Sequence, residues 1–374
     1  DYNSKMWANS VTVTSTNRSK YLSAEVGTKI PMDDILTMQV WIPRYKYKVW
    51  NYNADGTKTS NEQQIEITFE KGTDKTGDIT CTDNIQGSGG DGTSETCKLD
   101  NKVCTDTTCN GKTYTHPAFT FGDKEIKGFW VGKFEYREGG FIKPGFNYYG
   151  LNHDEFTIND LNFYIRGMNE SNNDYGVASV TDIHIMKNME WGAIAYLSYS
   201  EYGTCTNGSC VEVGINDDYD CTTGCGPDSA SGCNEYDTES GMLASTTQNI
   251  YGIYDMVGGM GDWTMGNMVA SDGKTMVVGD SGFETYPDEK YYDKYSYGTR
   301  ENGYKRSKLG DGIKEVYKGS NGWYNGIIAN LTSNDPWYSR GGFVWDDNLS
   351  LFYSDSVGGD SGGRYNSTHV VMTP

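Results

Sequence analysis

Positive charge is scarce in this chain: 31 Lys+Arg stand against 51 Asp+Glu, a net charge of −20. That shortage excludes nucleic acid and anionic membrane surfaces as partners, because both need clustered cations to meet phosphates. Long apolar runs are missing too. None approaches the ~18 residues that a membrane-crossing helix requires, so direct membrane insertion is excluded. No signal-peptide pattern opens the chain at Asp1, and the expectation is a processed or trimmed product, with a targeting or anchoring segment absent from this sequence. Histidine is the third shortage, with four in 374 residues (His116, His153, His184 and His369). Few general bases and few imidazole metal ligands are therefore on offer.

Cysteine stops early. All nine cysteines lie at or before Cys233, in local groups set in Thr/Asp/Gly/Ser-rich sequence. Cys-x-x-Cys spacing is absent and no histidine lies near the groups, which disfavours zinc. Disulfides stapling surface loops are the better reading. Local pairing predicts Cys81–Cys97, Cys104–Cys109, Cys205–Cys210 and Cys225–Cys233, leaving Cys221 odd. The compartment is then oxidising: extracellular, at a cell surface or on a virion.

What the chain does have is 29 tyrosines, 47 glycines and many Asn, Ser and Thr, a composition suited to exposed, loop-rich proteins. "MQVWIPRYKYKVWNY", "QQIEITFEKG" and "FTFGDKEIKGFWVGKFEYRE" alternate apolar and polar residues and predict strands. "HDEFTINDLNFYIRGMNES" and "TDIHIMKNMEWGAIAYLSYSEYG" predict helices. The second would be capped at Thr181 or Asp182, with Ile185, Met189, Ile194 and Leu197 on its apolar face. Cysteine-bearing inserts are expected at about 71–115 and 203–240. The expected fold class is α+β, as one loop-rich domain over 1–374.

Near the end stands "VGGDSGG", which contains the string around the nucleophilic serine of chymotrypsin-like proteases. A serine nucleophile needs a histidine base and an orienting carboxylate. None of the four histidines sits in the Ala-Ala-His-Cys setting that accompanies the string in that family. Only 11 residues follow Gly363, too few to build a specificity pocket beyond Ser361. The match is accidental.

Four other stretches, in one order, resemble proteins of the formylglycine-generating-enzyme type. "HPAFTFGDKEIKGFWVGKFEYRE" resembles their strand ending in F-x-[IV]-x-K-[YF]-E-V. "MKNMEWGAIAYLSYSEYG" resembles their PTEAEWEYAARGG helix, with Glu190-Trp191 at the Glu-Trp. "NIYGIYDMVGGMGDWTMGN" resembles NAFGLYDMVGNVWEW, and "WYSRGGFVWDD" resembles RGGSWRD. The resemblance covers roughly 115–374 and implies a C-type-lectin-like fold of that type. The family's oxidase uses two cysteines shortly after Arg-Gly-Gly, whereas this chain has none there, and the motif's second Trp and Glu are replaced by Gly261 and Asp262. Oxidase chemistry is not expected, and the protein is read as no enzyme.

A narrower resemblance is to variable proteins of diversity-generating retroelements, which use this scaffold and end in a hypermutated segment after a Trp-x-x-Arg-Gly-Gly-like motif. Here that motif is 337–342. Randomising template adenines turns Asn codons into Asp, Ser, Gly, Tyr, Thr and others, but never into Lys, Glu, Gln, Met or Trp. Residues 338–371 contain no Lys, Glu, Gln or Met, and Trp345 would have to be a fixed position. A variable ligand-binding segment is therefore expected at about 338–369. Its candidate contacts are Tyr338, Ser339, Phe343, Val344, Trp345, Asp346, Asp347, Asn348, Leu349, Leu351, Tyr353, Asp355, Ser356, Asp360, Ser361, Arg364, Tyr365 and Asn366. Tyrosine and tryptophan give such a surface large rigid contact area, and Ser, Gly, Asn and Asp give it adaptable hydrogen bonds. The larger side chains should be exposed on one face, with Phe352 and the fixed Trp345 packed inward.

The expected function is a secreted or surface-displayed binding protein of adhesin or receptor-binding type, facing a protein or glycan on another surface. The alternatives are a structural surface subunit, such as a pilus or phage-fibre outer domain, or an enzyme of the resembled family. No cofactor is expected. Calcium at Asp272 and Asp280 in "SDGKTMVVGDSG" is the weaker alternative to a solvated loop, because EF-hand spacing is absent. Tyr45, Tyr47 and Trp50 are read as strand packing ahead of a carbohydrate platform.

Overall fold

The alternating run ahead of Pro43 forms the strand Ile35–Pro43, around which the first of three main sheets is built. A computed structural model describes all residues of the chain except 53–60, 83–96, 138, 145–156, 215–233, 269–281, 284–286, 296–307, 319–320, 330, 333, 344–345, 347 and 361–365. Ile35–Pro43 pairs with Asn9–Val13 on one side and with Gly128–Gly132 on the other. The strand closest to the C-terminus, Val370–Thr373, lies between Gly128–Gly132 and Asp182–Ile185. All these pairings are antiparallel, so the end of the chain is tied into the middle of a sheet.

The second sheet carries the site. Gly261–Met268 pairs with Trp337–Arg340, which pairs with Ser354–Val357, both antiparallel. Asp293–Tyr295 and Asn366–Ser367 run parallel to Gly261–Met268 at its two ends. The third sheet absorbs the first insert: Tyr45–Lys48 pairs with Thr113–Thr115, and Ile79–Cys81, Cys97–Leu99 and Lys102–Val103 extend the same sheet. The architecture is α+β.

Two longer helices pack against the sheets, beside two single-turn ones at Arg18–Leu22 and Asp106–Cys109. Ile158–Gly167 starts at a capping box, in which Thr157 accepts from the Asp160 amide (3.1 Å) and Asp160 accepts from the Thr157 amide (3.0 Å). It turns Ile158, Leu161 and Ile165 inward. Asn188–Ser198 is buried on every side, so it has no polar face.

The expected start of that second helix is corrected. Asp182–Ile185 is a strand, and Thr181 and Asp182 cap nothing; Glu190 caps the helix by accepting from the Lys187 amide at 2.8 Å. The reason is the period-two Asp-Ile-His-Ile run, which finds a partner in Val370–Thr373.

Three expected disulfides are present: Cys81–Cys97, Cys104–Cys109 and Cys205–Cys210. The last closes a hairpin whose two turn residues, Asn207 (φ 53°) and Gly208 (φ 83°), take the left-handed conformation that such tight turns require. Cys221, Cys225 and Cys233 lie outside the described residues.

Candidate functional site

Arg340, Gly341 and Gly342 determine how the tail leaves the sheet. Arg340 is fully buried and donates to Asn188 Oδ1 (3.3 Å), Asp311 O (3.4 Å) and Gly312 O (3.2 Å), with its guanidinium over the Trp191 ring. Burial brings its pKa down to about 10. The next two residues turn at φ 73° and 74°, where a β-carbon would meet Met256 O at 2.9 Å and the Leu349 side chain at 2.2 Å. Only glycine fits both conditions. The tail is thus anchored by a buried cation and released by two glycines at Phe343.

Beyond the turn, the chain is held again. Trp191 donates its indole N–H to Leu351 O at 2.9 Å, and Leu351 N donates to Glu212, which also receives the Tyr199 hydroxyl. Burial pushes Glu212 up to about 7. Ser354 N donates to Ile327 O (2.8 Å) and Ala329 N to Ser354 O (2.9 Å). These bonds fix 350–354 against the scaffold and deliver Ser354–Val357 into register, with Asp355 opposite Ser339 and Ser356 opposite Tyr338.

Between the anchored pieces opens a pocket of about 360 Å³. Ser339, Phe343, Asp346, Tyr353, Asp355, Ser356 and Asn366, all expected contacts, line it together with Gly261 and Val357. Asp346 shapes its rim: its carboxylate accepts from the Phe343 amide at 2.7 Å while its own amide donates to Phe343 O at 2.7 Å, closing the turn. The Tyr353 hydroxyl lies 3.2 Å from Asp346 Oδ2 and 3.4 Å from Asp355 Oδ2. Burial, with the Asp346 charge adding to it, holds the Asp355 carboxyl above its usual range.

Several expected contacts stand elsewhere. Tyr338, Leu349 and Leu351 are buried, against the expectation of an exposed face; Tyr353 is buried too, and contributes to the pocket from within. Tyr338 packs with Tyr295 and Met268, and Leu351 joins the main core with Phe352, which is inward as expected. The backbone bonds at 350–354 hold Leu351, Phe352 and Tyr353 against the scaffold, and Tyr338 sits in Trp337–Arg340, a strand buried along its whole length. Asn348 and Asp360 are exposed but do not line the pocket. Val344, Trp345, Asp347, Ser361, Arg364 and Tyr365 lie outside the described residues. Val357 was missed, although alternation from Tyr353 through Asp355 points to it.

The described histidines serve the scaffold. His184 contacts Glu190 at 3.1 Å, and His369 joins Asp262 (3.0 Å) to Tyr254 O (2.9 Å). His116 is buried and its pKa is driven down to about 3 by desolvation. Tyr45 and Tyr47 are core residues, as read from the strand pattern, while Trp50 borders a smaller pocket of about 230 Å³ with Gln63 and Gln64. Among the described residues no group of three metal-capable side chains converges, and Asp272 and Asp280 lie outside them. No helix among the described residues is long and apolar enough to cross a membrane.

Neither protein-family models nor curated protein sequences match this chain.

Proposed function

We propose that this is a binding protein, secreted or surface-displayed, whose tail presents a diversified ligand site on a C-type-lectin-like scaffold of the formylglycine-generating-enzyme type. The observation that carries the reading is the pocket at Phe343, Asp346, Tyr353 and Asp355. Its walls come almost wholly from the one stretch that contains no Lys, Glu, Gln or Met. The buried Arg340 and the two glycines after it hold that stretch at both sheet and turn, which is what a site of changing side chains on an unchanging frame requires. Three disulfides favour an oxidising, extracellular setting.

The deciding experiment is on the DNA. The locus should carry a near-copy of the segment encoding 338–369 that differs at adenines, beside a reverse transcriptase, and isolates should differ at the pocket codons. A single-copy tail, invariant across isolates at Phe343, Asp346, Tyr353 and Asp355, would sink the reading.

A further inference from the structure

The tyrosine at the base of the pocket has one proton and two claimants. Tyr353 Oη is 3.2 Å from Asp346 Oδ2 and 3.4 Å from Asp355 Oδ2, and a phenol donates only one hydrogen bond. The backbone supplies one further donor to each side: the Phe343 amide to Asp346 (2.7 Å) and the Ser356 amide to Asp355 (2.7 Å). Among the described residues the donors to these carboxylates are these amides and the phenol, and none of them is a cation. Two carboxylates therefore face one cavity of about 360 Å³, which is within the size range of ligand clefts, roughly 300–1,000 Å³. The walls also contain the rings of Phe343 and Tyr353.

We propose that this pocket takes a cationic side chain, arginine or lysine, of a protein ligand, seated between Asp346 and Asp355 against the rings of Phe343 and Tyr353. The inference rests on the reading of the tail as a ligand face and gives that face its chemistry. A guanidinium or ammonium group supplies the donors that the shared phenol lacks, and its charge relieves the repulsion between the carboxylates. Aromatic faces add attraction for the same group. The net charge of −20 draws cationic partners from a distance.

The test is a titration of the intact protein, followed by backbone NMR at Ser339, Phe343 and Ser356. The probes are the N-acetyl N-methylamides of arginine, lysine, norleucine and glutamate. The arginine and lysine probes should shift these amides, and raised salt should weaken the effect. Asp346→Asn and Asp355→Asn keep an oxygen for the Phe343 and Ser356 amides, and each should weaken arginine binding about tenfold. Equal binding of norleucine would overturn the inference while leaving the pocket as a ligand site of another character. Silence from every probe would overturn it outright. Binding that emerges only in Arg364→Gln would also overturn it, because the chain would then be supplying its own cation. The proposal of a diversified tail fails or stands separately, on the DNA.

Discussion

Phe343 and Leu351 are eight residues apart in one polar, glycine-rich segment, yet they play opposite parts. Leu351 is fully buried, with its carbonyl held by Trp191 and its amide by Glu212. Phe343 is half-buried and borders the pocket. Nothing in the two side chains separates them; their backbones do. Where the tail's amides and carbonyls are bonded into the scaffold, successive side chains from Leu349 to Ser354 are all buried, against a core already packed by Tyr199 and Trp323. Where Asp346 closes the turn on itself, side chains are left to the pocket. A variable face on a stable fold needs both kinds of stretch, side by side.

The comparison breaks first at the anchor. Arg340→Ala removes three donor contacts and leaves Asn188 Oδ1 and two carbonyls buried without their partner. Leaving a buried acceptor without its donor costs about 1–3 kcal/mol, so the three together should cost about 3 kcal/mol or more. Urea unfolding should show a loss of that size, and a loss under 1 kcal/mol would mean that the tail is not held here.

Next comes the core half of the tail. Leu351→Ala empties a fully buried position in the main core and should cost about 2–5 kcal/mol. Its ligand affinity, measured well below the midpoint of unfolding, should be unchanged, because Leu351 does not line the pocket. An affinity loss without a stability loss would reverse the assignment.

Buried carboxyls of the scaffold, away from the pocket lining, offer a third contrast, read through pH. Burial pushes the Asp255 carboxyl up to about 7; burial with the Asp262 and Asp255 charges raises Glu135, and burial raises Asp262 against the opposing pull of His369. A carboxyl raised in the fold binds its proton more tightly there than in the unfolded chain. It therefore stabilises at low pH, and that stability is lost as pH rises from about 4 through its folded value. His369, raised by its Asp262 contact against the effect of burial, acts with the same sign at higher pH. His116, driven down to about 3, acts with the opposite sign. The clean measurement is a difference: Asp255→Asn should lose less stability than the parent between pH 4 and 7. Parallel stability–pH curves for the two proteins would show that Asp255 does not titrate as described. Asp355, raised in the same direction at the half-buried pocket, should give a smaller difference.

How far this was legible in the sequence depends on where each residue's partner lies. The strand Ile35–Pro43 was readable because alternation is local. So was the disulfide Cys205–Cys210, whose cysteines are near neighbours in the chain. The Arg-Gly-Gly turn was readable as a turn, but the burial of Arg340 depends on Asn188, Asp311 and Gly312, which are distant in the chain. The same distance hid the strand Asp182–Ile185, whose pairing partner is almost two hundred residues later. It also hid the inward side of the tail. Tyr338 and Leu351 carry the composition expected of a contact surface, and partners distant in the chain, among them Tyr295, Trp191 and Glu212, make them core.

The smallest expected effect sharpens the comparison most. Phe343→Ala truncates the pocket-side counterpart of Leu351. Because the ring is half-buried and its amide is held by Asp346 whatever the side chain, the stability cost should stay within about 1 kcal/mol. Ligand affinity should fall by about 2 kcal/mol or more, as it does when an aromatic anchor is removed from the centre of an interface. The two numbers for Phe343 should thus stand in the reverse order of the two for Leu351. The stability half needs no ligand: urea unfolding of the two single variants decides it. If Phe343→Ala destabilises as much as Leu351→Ala, the ring belongs to the core, and the pocket loses the wall on which its ligand would rest.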